Sequence, residues 1–199
     1  MAVSLSNDSA EPSAPTKRHH PARWVLAGLA LAVIAFAIAA ASVHPTSPNA
    51  VAPSPLVGKK APALAGRLLS GGSYKLDPAG KYMLVNFFAS WCTPCRAETS
   101  AFERFLAEAP AHPWGSSVHI VGVTVNDRTT SAQAFVKQLG VTWPVVFDGS
   151  GVVGLDWGVA NPPQTFLVAP DGKVVTRIVG QVTSPGLVAL MNLAWSTYG

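Results

Sequence analysis

The chain has 199 residues, 49% of them hydrophobic, and a formal net charge of +4. From residue 58 onward the basic residues are scattered, with no run longer than the Lys59-Lys60 pair, and no glycine-rich phosphate-binding motif occurs. A nucleic-acid-binding protein needs basic side chains clustered on one face. The charge pattern therefore excludes a nucleic-acid partner and predicts a solvated surface.

The N-terminal region predicts a membrane anchor. Residues 1–23 precede the apolar run as a tail, of which residues 1–16 are polar and typical of a disordered segment. Residues 24–43 form a run without any charge, which as a helix is long enough to cross roughly 30 Å of hydrocarbon. Three basic residues precede this run and none follows it before Lys59, so the positive-inside rule predicts a cytoplasmic tail and an extracytoplasmic remainder.

A cleaved signal peptide is the alternative interpretation of the same run. Ala39, Ala40 and Ala41 supply small residues near its end, as a cleavage site requires. However, the apolar stretch is longer than the usual signal-peptide core of about 7 to 15 residues, and the tail ahead of it is long. We therefore favour a retained single-pass anchor at residues 24–43.

Residues 44–57 predict a linker and residues 58–199 a folded domain. Four prolines within 44–57 favour a semi-rigid, partly extended spacer. The following residues, 58–199, are numerous enough for one domain with its own hydrophobic core.

Strand and helix patterns alternate along this domain, which predicts an α/β sandwich. Gly71-Gly72 and Pro170-Asp171-Gly172 are typical of hairpin turns between neighbouring strands. The predicted strands are 64–69, 73–76, 82–88, 118–125, 145–147, 165–168 and 173–179, and the predicted helices are 95–108, 131–139, 152–157 and 185–198.

The two cysteines, Cys92 and Cys95, lie where the apolar strand 82–88 gives way to the helix 95–108. At a helix N-terminus, unpaired backbone N–H groups and the helix dipole stabilise a thiolate and lower its pKa. This position predicts Cys92 as the nucleophile of disulfide exchange and Cys95, one turn later, as the resolving thiol. The chemistry expected is a reversible two-electron cycle between a dithiol and a disulfide.

Other uses of a cysteine pair are less well supported. A structural disulfide across so short a loop would remove little chain entropy from the unfolded state. A zinc site needs two more ligands, and His44, His112 and His119 do not match a common zinc spacing. A copper-delivery protein would be expected to have a wider cysteine spacing and a histidine further along the chain. We therefore predict no metal site.

Several segments resemble one known family. The segment VNFFASWCTPCRAE, residues 85–98, resembles the active site of membrane-anchored thioredoxin-like proteins of the TlpA, ResA and DsbE (CcmG) type. Lys60-Ala61-Pro62 resembles the start of their domain, and residues 147–159 with 163–167 resemble the DsbE branch. The resemblance implies a thioredoxin-like α/β fold with an N-terminal β-hairpin extension, preceded by a single transmembrane helix.

The resemblance also implies a function and its partners. It implies a thiol-disulfide oxidoreductase in the cell membrane, with its C-terminal domain outside the cytoplasm and no cofactor. The implied task is reduction of the CxxCH cysteines of apocytochrome c before haem attachment. Its partners would be protein thiols and disulfides, namely apocytochrome c or haem-ligation proteins, together with a membrane electron donor.

Glu98 is the third predicted catalytic residue. It lies one turn after Cys95 and shares a helical stripe with apolar residues such as Phe102 and Phe105. Desolvation there would raise the pKa of its carboxyl group, which suits a proton acceptor for Cys95. The alternative is a glutamate that tilts out to solvent near the start of the helix.

Trp91, Pro162 and Pro163 are the predicted substrate-binding residues. By resemblance, Pro163 is the proline that follows a cis peptide bond and faces the dithiol, although an ordinary trans turn proline is the alternative. Trp91 is interpreted as an apolar shield beside Cys92, with packing in the core as the alternative. The chain departs from the family pattern at three positions, since Phe88 replaces a common Trp, Gln164 replaces a frequent Glu, and Pro162 precedes Pro163.

Three other functions stay open at this point. The dithiol cycle run in reverse would make the protein an oxidant that inserts disulfides into secreted proteins, and sequence does not fix the direction. A non-catalytic thiol- or metal-binding module belongs to a different class. A peroxidase is disfavoured, because such enzymes usually carry a reactive cysteine without a partner two residues on.

Overall fold

The structure, a computed structural model, describes residues 21–41 and 48–198. The chain divides into two units, one ending at Pro45 and the other starting at Thr46. An α-helix, α1, spans Pro21–Ala41. Within the two described ranges, no helix has both the length and the apolar character needed to cross a membrane. The transmembrane helix predicted at 24–43 is therefore not confirmed, and most of the predicted tail lies outside the described residues.

The second unit contains two sheets and four helices in the described part of the chain. One sheet has six strands in the order β1-β8-β7-β4-β5-β6, and β2 and β3 form a separate hairpin. The strands are β1 (Ala50–Val51), β2 (Ala65–Arg67), β3 (Ser73–Lys75), β4 (Tyr82–Phe88), β5 (Val118–Thr124), β6 (Val145–Phe147), β7 (Gln164–Val168) and β8 (Val174–Val179). The helices are α2 (Thr93–Glu108), α3 (Thr129–Leu139), α4 (Val152–Asp156) and α5 (Ser184–Tyr198).

Strand β4 is the centre of the large sheet. It runs parallel to β5 and antiparallel to β7, and all of its residues are buried. A strand that is covered on both faces has a continuous apolar sequence, which is why the run at 82–88 was identifiable. A short loop joins Phe88, the last residue of β4, to α2. Cys92 therefore lies at one end of the sheet.

Helices cover one face of the sheet and shorter elements cover the other. Phe102 and Phe105 of α2 pack with Leu187 and Met191 of α5 in one buried cluster. A second cluster on the opposite face joins β4 and β7 to the segment around α4 and includes the aromatic rings of Phe87, Phe166 and Trp157. The element order and the layers agree with the predicted α/β sandwich.

The first strand, β1, is one element that the sequence pattern did not predict. Ala50 pairs with Val179 and Val51 with Ile178, antiparallel to β8 at the edge of the sheet. The chain then follows β8, since the N–H of Ala52 donates to the carbonyl of Arg177. Part of the predicted linker is thus attached to the sheet, while the boundaries 44–57 and 58–199 stay predictions.

Candidate active site

Cys92 and Cys95 form a disulfide at the N-terminus of α2. Cys92 is the N-cap residue, and its Sγ accepts a hydrogen bond of 3.2 Å from the N–H of Cys95. Pro94 lies in the first turn, where a missing N–H leaves no helical hydrogen bond unmade. The predicted placement at a strand-to-helix junction is confirmed, whereas the separate roles of the two sulfurs stay predictions.

The loop ahead of Cys92 is held by the segment that follows β5. The Asp127 carboxylate accepts hydrogen bonds from the N–H of Ser90 at 2.6 Å and from its hydroxyl at 2.8 Å. The indole N–H of Trp91 donates to the carbonyl of Asn126 at 3.0 Å. Asp127 thereby fixes the backbone that leads into Cys92, a role that sequence analysis missed.

Trp91 is 59% exposed. The alternative in which this side chain packs in the core is therefore wrong. Its indole ring is tied at one edge to Asn126 and otherwise faces solvent, immediately before Cys92. Such a fixed and exposed aromatic ring offers apolar contact area to a bound polypeptide at little cost in conformational entropy. Substrate contact by Trp91 stays a prediction.

The Glu98 side chain is buried, with only 1% exposed. One carboxyl oxygen, Oε1, accepts from the Asn86 amide at 2.9 Å, and the other, Oε2, accepts from the N–H of Val182 at 3.3 Å. Burial raises the pKa of Glu98 from 4.5 to about 8, and the hydrogen bonds from Asn86 and Val182 oppose that rise. The expected direction is confirmed, and the solvent-exposed alternative is wrong.

Asn86 lies behind the dithiol in the middle of β4. Its Nδ2 donates both to Glu98 and, at 3.1 Å, to the hydroxyl of Thr165 on β7. The second hydrogen bond fixes the orientation of the amide, so that a donor faces the Glu98 carboxyl group. A polar residue inside the apolar run at 82–88 was the sequence signal for this role, because a buried amide requires partners.

The two predicted prolines lie immediately before β7. The Pro162–Pro163 peptide bond is cis, as the resemblance implies. Pro163 is buried and its carbonyl accepts from the N–H of Gly180 at 2.9 Å. Because Gln164 pairs with Phe87, Pro163 lies beside the end of β4 from which the cysteine loop departs. Binding of substrate by Pro162 and Pro163 stays a prediction.

Gln164, where the family often has Glu, is buried, and its amide has hydrogen-bond partners on both sides. Its Oε1 accepts from the guanidinium Nε of Arg177 at 3.0 Å, and its Nε2 donates to the carbonyl of Asn161 at 3.0 Å. The amide therefore satisfies both a donor and an acceptor next to Pro163.

The geometry of the site and comparisons with known proteins identify the class of protein to which the chain belongs. A disulfide at the first strand-to-helix junction, a buried carboxyl group behind it and a cis-proline beside it are the parts of a thioredoxin-like thiol-disulfide oxidoreductase. The chain belongs to the AhpC/TSA family, whose model matches residues 57–177. The predicted thioredoxin-like α/β fold is thereby confirmed.

Two relatives of known class identify the kind of enzyme. The chain is 36% identical over 146 residues to the thiol:disulfide interchange protein HelX of Rhodobacter capsulatus, which covers 71% of this chain and 78% of HelX. It is 32% identical to the thiol:disulfide interchange protein DsbE of Escherichia coli K12 over 83% of this chain and 91% of DsbE. The predicted enzyme class, a thiol-disulfide oxidoreductase, is confirmed.

A solved structure supports the same assignment. The match is a Chlorobium tepidum protein described as a thiol:disulfide interchange protein, DsbE, with a TM-score of 0.62 and 30% sequence identity. The alignment covers 72% of this chain and 98% of that one.

Burial of Glu98 makes the stability of the oxidised protein depend on pH. Because its pKa is raised to about 8, the folded protein keeps a proton that the unfolded chain releases above about pH 4.5. The free energy of unfolding should therefore fall as pH rises through this window, by at most about 1.4 kcal/mol per pH unit. Urea unfolding of the wild type and Glu98→Gln at several pH values measures the difference.

The exposed Glu103, on the same helix, provides the matched control. Glu103→Gln should leave the pH dependence of the wild type in place, whereas Glu98→Gln should remove the part due to residue 98. Identical pH profiles for the wild type and Glu98→Gln would contradict the assignment of a protonated, buried carboxyl group.

Proposed function

We propose that this thiol-disulfide oxidoreductase works outside the cytoplasm and reduces the CxxCH cysteines of apocytochrome c. The observation that carries the proposal is the placement of Cys92 at the start of α2 with the buried Glu98 carboxyl group one turn behind Cys95. This arrangement supplies both a stabilised thiolate and a proton acceptor. The family resemblance in residues 85–98 supports the choice of substrate.

The cycle begins with the reduced enzyme and an oxidised substrate. The Cys92 thiolate attacks one sulfur of the substrate disulfide, the substrate S–S bond breaks, and its second sulfur leaves as a thiolate that takes up a proton. The enzyme and substrate are then joined by a mixed disulfide. The N–H of Cys95, which already points at Cys92 Sγ, and the N-terminal end of α2 favour the thiolate in this step.

Cys95 completes the cycle. Its thiolate attacks Cys92 Sγ, the mixed disulfide breaks, and the substrate sulfur that was bonded to Cys92 leaves as a thiolate that takes up a proton, so that the substrate is released as a dithiol and the enzyme becomes the Cys92–Cys95 disulfide. The Cys95 proton passes to Glu98. Because burial raises the pKa of Glu98 to about 8, towards the ordinary range of a thiol, its carboxylate accepts a proton from a thiol more readily than an exposed glutamate does.

The substrate would lie across the face formed by Trp91 and the Pro162-Pro163 segment. Trp91 is exposed directly before the attacking sulfur, and Pro163 lies beside the same end of β4. A CxxCH peptide in an extended conformation could place its backbone along residues 162–163 and its side chains against the indole ring.

The site of action follows from the N-terminal sequence. Residues 24–43 would anchor the protein in the cell membrane, with the domain from residue 58 on the extracytoplasmic side. Each turnover leaves the Cys92–Cys95 disulfide, so a membrane protein with a dithiol must return two electrons to it. The anchor keeps the domain near that donor and near emerging apocytochromes.

Retention of the anchor is tested by fractionation. The mature protein should keep Met1 or Ala2 as its N-terminus and sediment with membranes after alkaline washing. Replacing both Leu31 and Ile34 with Arg should release it, since a charge at the centre of a span costs about 3 kcal/mol. A soluble form that begins near Ser42 would show instead that the segment is a cleaved signal peptide.

The roles of the thiols are tested by alkylation of the reduced protein. Cys92 should react with iodoacetamide at pH values well below the usual thiol pKa of about 8.5, while Cys95 stays protected in the folded state. Mass spectrometry of labelled peptides over a pH series measures both rates. Glu98→Gln should slow product release more than formation of the mixed disulfide. Faster labelling of Cys95 would reverse the assignment.

The substrate is tested by trapping. A Cys95→Ala variant lacks the resolving thiol and should accumulate a mixed disulfide through Cys92 with its partner. Mass spectrometry should identify c-type apocytochromes or haem-ligation proteins, and deletion of the gene should abolish holo-cytochrome c. A variant that lacks both cysteines is the control and should trap nothing.

The level of holo-cytochrome c in the deletion strain and the reduction potential of the Cys92–Cys95 pair together separate a reductant from an oxidant. Normal levels of holo-cytochrome c together with a potential well above about −200 mV would favour an oxidant that inserts disulfides into secreted proteins. In that case the electrons flow from substrate dithiols to the Cys92–Cys95 disulfide.

A further inference from the structure

The loop between β8 and α5 supplies one of the two hydrogen bonds to Glu98. Residue Val182 in this loop is fully buried, and its N–H donates to Glu98 Oε2 at 3.3 Å. This distance lies near the long limit for a backbone hydrogen bond. A small displacement of the loop would therefore remove the donor from the carboxyl group, so the position of residue 182 matters.

Asn49, directly before β1, bonds to the residues on both sides of Val182. Its N–H donates to the carbonyl of Gln181 at 2.9 Å. Its side-chain Oδ1 accepts from the N–H of Thr183 at 2.9 Å, and its Nδ2 donates to the Thr183 hydroxyl at 2.8 Å. Three hydrogen bonds from one residue thus bracket the N–H that meets Glu98.

Two further features show that the structure accommodates Asn at position 49. The backbone of Asn49 is in the left-handed region, with φ at 59°, where Asn is favoured over most other side chains. Gly186, in the first turn of α5, lies against the Asn49 amide, and a Cβ at position 186 would overlap that amide. The absence of a side chain at residue 186 therefore makes room for the Asn49 side chain.

We propose that Asn49 is a positioning residue that clamps the Val182 N–H against the Glu98 carboxyl group and thereby sets the acidity of Glu98. A hydrogen bond to the carboxylate favours its charged form, so loss of the clamp makes Glu98 a weaker acid. The effect of this clamp on catalysis rests on the proposed function, in which Glu98 takes the Cys95 proton. The effect of the clamp on the titration of Glu98 is independent of the proposed function.

Apart from burial, the hydrogen bonds from Asn86 and Val182 are the main influence on the pKa of Glu98. In the disulfide form, burial and the two hydrogen bonds determine the pKa of Glu98, and no charged group among the described residues contributes to it. Cys95, one turn before Glu98 on α2, is joined to Cys92 in this form. Glu108 on α2 accepts from Ser184, Arg177 on β8 donates to Gln164, and α5 carries Tyr198 near its end.

The test is a titration of Glu98 by NMR in the oxidised full chain labelled with ¹³C-glutamate, with Glu98→Gln identifying the signal. Asn49→Gly keeps a residue suited to positive φ and the N–H to Gln181, but removes both side-chain hydrogen bonds. It should raise the midpoint by about 0.5 to 1 pH unit. Asn192→Ala is the matched control, because Asn192 lies on α5, accepts from the indole N–H of Trp114 and, among the described residues, has no hydrogen bond to the Val182 loop.

An unchanged Glu98 midpoint in Asn49→Gly would overturn the proposal. If that variant does not fold, Thr183→Val, which removes the hydroxyl that accepts from the Asn49 amide, should raise the midpoint in the same direction, and no rise there would overturn the proposal equally.

A kinetic measurement separates the clamp from the proposed function. In the wild-type background, Asn49→Gly should shift the pH profile of mixed-disulfide resolution upward, and in the Glu98→Gln background it should have no further effect. A shifted NMR midpoint with an unshifted resolution profile would support the clamp and count against Glu98 as the proton acceptor.

Discussion

Burial of the Glu98 carboxyl group is the constraint around which the site is arranged. A carboxyl group with 1% exposure needs partners for its oxygens, and three separate parts of the fold supply or orient them. Strand β4 provides the Asn86 amide, β7 provides the Thr165 hydroxyl that orients this amide, and the loop after β8 provides the Val182 N–H. Strands β4 and β7 and the β8–α5 loop must therefore be correctly positioned before the Glu98 carboxyl group can be buried with its hydrogen bonds made.

Two opposing influences set the proton affinity of this group. Desolvation alone disfavours the carboxylate, whereas the donors from Asn86 and Val182 stabilise it, and their balance raises the pKa to about 8. An exposed glutamate would be fully ionised at neutral pH and a poor match to a thiol of pKa about 8.5. A buried carboxyl group without hydrogen bonds would hold its proton too tightly. The observed environment lies between these limits, which suits proton exchange with a thiol.

The sequence predicted those features of the site that depend on local residue patterns. The dithiol was identifiable from its place after the run 82–88, and burial of Glu98 from its helical stripe with Phe102 and Phe105. Contacts between distant segments left no such pattern, since Asp127 is 37 residues from Ser90 and Glu98 is 84 residues from Val182. Strand β1 was missed because two residues, Ala50 and Val51, are too few to show alternation and pair only because β8 offers a free edge.

The edge strand β1 links the entry of the chain to the chemistry of the site. Because β1 is antiparallel to β8, Asn49 lies at the end of β8 that leads into Val182, which is also the end beside Pro163 and Glu98. Had β1 been parallel to β8, its first residue would lie at the opposite end of the sheet. The hydrogen bonds of Asn49 consequently help to attach the segment around β1 and also bracket the donor to Glu98. Asn49 therefore links the attachment of that segment to the acidity of the buried carboxyl group.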